Sequence, residues 1–109
     1  MAIQIIINQA GPLPITAKFT APSDGSTNLE VKGSVFTTKQ NVMLGIHVEL
    51  DGHSKGKAQI FSNGALTHRP VIPAYIPVQL KQGEHTLTLS AAPDSITDHN
   101  DFFNVVLHY

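Results

Sequence analysis

Cysteine is absent from the 109 residues. Disulfides, thiolate metal sites and cysteine nucleophiles are thereby excluded, and the fold must be held by its core unaided, which fits a reducing compartment. Charge is scarce as well: 14% of residues are charged, seven basic against eight acidic, for a net of -1. With no positive excess to displace counterions from a phosphate backbone, nucleic acid is not an expected partner. The start, MAIQIIINQAGP, has an apolar run far too short to span a bilayer and no basic segment before it. No export signal and no membrane span are expected, with a location in the cytoplasm or release by a non-signal route. Catalytic signatures are missing too. There is no GxSxG elbow, no GxxxxGK phosphate loop and no GxGxxG. Glu30, Glu49 and Glu84 fall on strand faces or turns and form no pair suited to glycoside hydrolysis. An enzyme is not expected.

What the chain does have is alternation. With 41% apolar residues it can bury a core, and its length suits one domain over 1–109. In VMLGIHVELDG, Val42, Leu44, Ile46, Val48 and Leu50 share one face and Met43, Gly45, His47 and Glu49 the other, the period of a half-buried strand. Asp51-Gly52 then reads as a hairpin turn, with GKAQIFSNG returning antiparallel. Similar patterns at 3–8, 15–21, 29–36, 75–80, 85–91 and 102–109 bring the total to eight candidate strands, separated by Gly, Pro, Asn and Asp breakers. The expected fold is all-β: a single antiparallel β-sandwich of about eight strands with jelly-roll or Greek-key connections. Pro77 lacks a backbone donor, so its strand belongs at a sheet edge or carries a bulge. In the last strand Phe103, Val105, Leu107 and Tyr109 face one way and Phe102, Val106 and His108 share the other side with Asn104. Two largely apolar faces suit a central strand or a subunit interface, and the interface reading makes a homo-oligomer the expectation.

The densest cluster of oxygen-bearing side chains lies in DSITDHND, where Asp98, Asn100 and Asp101 follow Asp94 at short spacing. Such groups are hard ligands of the kind calcium requires, about six to eight oxygens in all. The plainer alternative is a turn in which Asp and Asn bond their own backbone before a strand begins. The loop, passing straight into a hydrophobic strand, resembles that of calcium-dependent bacterial lectins that bind fucose and mannose, small cysteine-free β-sandwiches. The resemblance implies calcium held by Asp98, Asn100 and Asp101, with sugar hydroxyls completing the coordination. ITAKFTAPSDGSTNLEV (15–31) is similar to the second strand and loop of that family, which implies a backbone carbonyl near Pro22 or Ser23 at the same site. Ser95, Ile96 and Thr97 stand where that family carries further carboxylates.

Six histidines, at 47, 53, 68, 85, 99 and 108, are a second source of ligands, although none falls in a HxH or HExxH arrangement. In THRPVIPAYIP (67–77), prolines stiffen a segment bearing His68, Arg69 and Tyr75, of which Arg and Tyr are favoured anchors in contacts with proteins and sugars; the plainer alternative is an ordinary crossover between sheets. The candidate ligand-binding residues are therefore Asp98, His99, Asn100 and Asp101 with His68, Arg69 and Tyr75. The function expected is a non-catalytic, lectin-like module that binds carbohydrate, with calcium as its cofactor. The alternative is a structural subunit, an oligomeric jelly-roll protein of a larger particle.

Overall fold

The computed structural model describes residues 2–109. Its strands are β1 (Ile3–Ala10), β2 (Ile15–Ala21), β3 (Gly25–Val35), β4 (Val42–Leu50), β5 (His53–Ser62), β6 (Arg69–Pro70), β7 (Ala74–Leu80), β8 (Gly83–Ala91) and β9 (Phe102–His108). Every pairing is antiparallel, in two sheets. One runs β1-β9-β3, with β6 and β7 both along the far side of β3; the other runs β2-β8-β4-β5. The result is the expected all-β sandwich, with β6 as a ninth strand beyond the eight read from the sequence. No helix among the described residues is long and apolar enough to cross a membrane.

The core follows from the alternation. Leu44, Ile46, Val48 and Leu50 of β4 and Leu87 and Leu89 of β8 meet Leu29, Val31 and Val35 of β3 and Phe103, Val105 and Leu107 of β9, all buried. Gly33 makes room for the largest of these side chains: a Cβ there would lie 2.5 Å from the Phe103 ring and 2.9 Å from Ile46. Pro77 does sit on an edge strand, since among the described residues β7 pairs only with β3. β9 is central, between β1 and β3. Of its outer face, Val106 is only 9% exposed whereas Phe102 is 51% exposed.

The β4–β5 hairpin turns at Asp51 (φ 53°) and Gly52 (φ 82°), both in the left-handed region that such turns require. The turn is fastened to β8 by its own aspartate. Asp51 Oδ1 accepts from the Thr86 N–H at 2.8 Å and Oδ2 from His85 Nδ1 at 2.7 Å, while His85 Nε2 donates to the Lys81 carbonyl at 2.7 Å. Two acceptors on one imidazole favour its charged form. The Asp51 contact, then the carbonyl, raise the His85 pKa above its ordinary 6.5, outweighing burial. A raised folded pKa contributes stability that is complete below pH 6.5 and is lost as the pH climbs through the raised value. The melting temperature of wild type should therefore exceed that of His85→Gln most at about pH 6, and the gap should narrow in alkaline buffer. A gap that widens with pH would contradict this assignment.

Candidate functional site

The loop from Asp94 to Asp101 leads into β9, and its organising residue is Asp101, fully buried just before the strand. Asp101 Oδ1 accepts from the Ser34 hydroxyl at 2.6 Å and from His68 Nδ1 at 2.7 Å, and Oδ2 accepts from the Asp98 N–H at 2.9 Å. Its backbone carbonyl accepts from the Gly11 N–H at 2.8 Å, and a Cβ on Gly11 would lie 2.7 Å from the Asp98 carbonyl, so glycine is needed where β1 leaves this corner. Asp98 Oδ1 in turn accepts from the Asn100 N–H at 2.8 Å, and Thr97 Oγ1 accepts from the Leu13 N–H at 2.8 Å. A buried carboxylate satisfied by three donors thus ties together β3, the segment before β6 and the loop itself.

His68 reaches the loop because Arg69 and Pro70 pair with Val35 and Ser34 at the end of β3. Its ring packs on Phe36, with centroids 4.5 Å apart. The Asp101 carboxylate raises the His68 pKa above 6.5, chiefly through their hydrogen bond and against a smaller opposing effect of burial. The second ring nitrogen, Nε2, faces Asp98 Oδ2 at 3.9 Å, and both side chains are partly exposed.

The expected site residues divide into groups. Asp98, Asp101 and His68 come together, with ligating atoms within 4.8 Å of one another. His99 and Asn100 are exposed on the same loop, and Asn100 contributes its backbone N–H. The third ligating atom beside the two aspartates thus comes from His68. Arg69 adjoins the group, and its Nε is buried without a hydrogen-bond partner among the described residues. Tyr75 is elsewhere, on the outer face of the sheet, where its hydroxyl donates to Glu30 at 3.1 Å. Asp94 pairs with Lys39 at 2.5 Å instead of joining the cluster.

The implied carbonyl at Pro22 or Ser23 is excluded as a partner of this loop. Those residues precede Gly25 at one end of β3, whereas Asp101 holds Ser34 at the other. The nine steps between Gly25 and Ser34 span about 30 Å at about 3.3 Å each. The histidines do not gather either, since His68, His85 and His108 each pair with a different carboxylate. The donor set is mixed nitrogen and oxygen, the type suited to zinc-like ions, and differs from the all-oxygen cage of calcium.

No protein-family model matches the chain, and no curated protein matches it in sequence. Its fold does have relatives among solved structures. The family 35 carbohydrate-binding module of Cellvibrio japonicus Abf62 superposes with a TM-score of 0.57 at 16% identity, covering 88% of this chain and 64% of that one. A family 35 module from Clostridium thermocellum gives 0.56 at 17% identity over 96% and 90%. A β-glucosidase from Paenibacillus barengoltzii gives 0.62 at 13% identity, with 97% of this chain but only 10% of the enzyme. The chain thus spans just under two thirds of the first of these and a small part of the last. At these identities the likeness establishes the architecture alone, a β-sandwich like that of carbohydrate-binding modules, and does not single out the calcium-dependent fucose and mannose lectins.

Proposed function

We propose that the chain is a non-catalytic carbohydrate-recognition module that takes sugar hydroxyls at the loop end, through Asp98, His68, His99 and Asn100, with Asp101 as the buried residue that positions them. The observation that carries this reading is the fixed pairing of His68 Nε2 with Asp98 Oδ2 at 3.9 Å across a partly exposed gap. Nδ1 is committed to Asp101, whose hydrogen bond raises the His68 pKa, and the protonated ring presents Nε2 as a donor facing an acceptor. A hydroxyl oxygen about 2.8 Å from each could accept from one and donate to the other, the dual role that sugar hydroxyls fill. The fold shared with carbohydrate-binding modules supports the same reading.

This mode needs no calcium, since both Asp101 oxygens and Asp98 Oδ1 are already oriented by protein donors. A glycan array probed with wild type and Asp98→Ala, each in calcium and in chelator, tests the proposal. Wild type should bind equally in both buffers, and Asp98→Ala should lose about tenfold in affinity while giving up only about 1 kcal/mol of stability. Binding that needs calcium, together with a rise in melting temperature in calcium, would replace the direct mode by a cation-bridged one. No glycan signal in either buffer would remove the carbohydrate reading.

A second reading, an oligomeric structural subunit, has one specific support. Ile3 and Ile5 on the edge strand β1 are 59% and 60% exposed. Sedimentation as a monomer at micromolar concentration would eliminate it.

A further inference from the structure

We infer that a second saccharide site, for neutral sugar chains, lies on the outer face of the β1-β9-β3-β7 sheet, in the groove flanked by Tyr75 and Tyr109. The chain holds two tyrosines and no tryptophan, and both tyrosines border this one surface. Ser26, Asn28, His108 and Tyr109 line an open groove of about 350 Å³, and the Tyr75 ring stands 6.3 Å from that of His108. The register explains the grouping: Asn28 faces both His108 on β9 and Pro77 on β7, and Glu30 faces Tyr75. Tyr75 is 64% exposed and Tyr109 40%, so their rings are available for contact.

Tyr75 is also held in place before any ligand arrives. Its hydroxyl donates to Glu30 Oε2 at 3.1 Å, and His108 Nε2 donates to Glu30 Oε1 at 2.8 Å, so little side-chain freedom remains to be lost on binding. An aromatic ring offers an apolar face for the C–H side of a pyranose, while Asn28, Ser26, His108 and Glu30 supply donors and acceptors for its hydroxyls. Glu30 is offset by Lys32 at 3.5 Å, so the face has no strong field of either sign. That balance selects an uncharged saccharide over a uronate or an amino sugar.

The inference rests on the carbohydrate reading of the chain but not on its loop site, and one titration separates the two. Wild type, Tyr75→Ala, Tyr75→Phe and Asp98→Ala would be titrated with cellohexaose, xylohexaose, mannohexaose, maltohexaose and trigalacturonate while tyrosine emission is followed. The loop carries no tyrosine, so an emission change reports the groove. At least one neutral hexaose should change the emission saturably. Tyr75→Ala should weaken that binding by roughly tenfold or more, and Tyr75→Phe, which keeps the ring, by much less. The emission response of Asp98→Ala should match wild type. Binding detected by calorimetry that leaves emission and Tyr75→Ala affinity unchanged would overturn the groove and spare the module reading. Failure of wild type to bind any of the five would overturn the groove site, while the glycan array decides the module reading. Emission that follows protein dilution and ignores sugar would mark a self-association face instead, also overturning the site.

Discussion

Replacing Asp101 by alanine is expected to destabilise the protein by about 3–5 kcal/mol, the range for removing one partner of a buried charged network. The carboxylate has no exposure and accepts from the Ser34 hydroxyl, His68 Nδ1 and the Asp98 N–H. Its loss leaves three donors without their acceptor, and no alanine packing offsets that. At roughly 4 °C per kcal/mol for a domain of this size, the melting temperature should fall by roughly 12–20 °C. Asp101→Asn keeps one acceptor oxygen but turns an NH₂ group toward a donor, so it should recover less than half of the loss. Both variants should release His68 from Asp98 and abolish loop binding even well below their melting temperatures. A variant as stable as wild type would mean that Asp101 is not the clamp described above.

A similar loss is expected from Phe103→Ala for a wholly different reason. Phe103 is fully buried, and its ring occupies the space left by Gly11 and Gly33, where added Cβ atoms would approach it to 3.0 and 2.5 Å. Truncating it removes a large apolar group and leaves a cavity between two backbone segments that cannot close over it, at a cost of about 3–5 kcal/mol. Urea denaturation should show a lower midpoint with an unchanged slope, because the surface exposed on unfolding is nearly the same. The partner experiment, Gly33→Ala in the Phe103→Ala background, should be tolerated far better than Gly33→Ala alone, since the added methyl then has room.

Much of this architecture is legible in the residues. The alternation of Val42 to Leu50 gives β4, Asp51-Gly52 gives its turn, and Pro77 marks an edge. What escapes the sequence does so for physical reasons. Ile3, Ile5 and Ile7 alternate as one face, yet Ile7 is buried while the other two are exposed, because a bulge between Ile5 and Ile7 shifts the register with β9 and turns the strand over. In the candidate site, Asp98 and Asp101 are neighbours in the chain, so their meeting could be anticipated. His68 arrives from 30 residues away, delivered by β6, a two-residue strand too short to show any periodicity. Tyr75 follows Arg69 closely in sequence but belongs with Glu30 and His108, because β7 runs along β3 away from the loop. A lone aromatic in a proline-rich stretch carries no signal of that partner. The two glutamate contacts that hold the groove likewise depend on register across three strands, which composition does not encode.

The most direct test of sugar recognition at the loop is an amide chemical-shift titration of the wild-type protein with whichever glycan binds best on the array. The expected result is saturable shifts at Thr97, Asp98, Asn100 and His68 in calcium-free buffer, surviving in Tyr75→Ala and absent in Asp98→Ala. A glycan that binds with comparable affinity yet leaves all four amides unmoved would contradict the assignment of the loop as the recognition site.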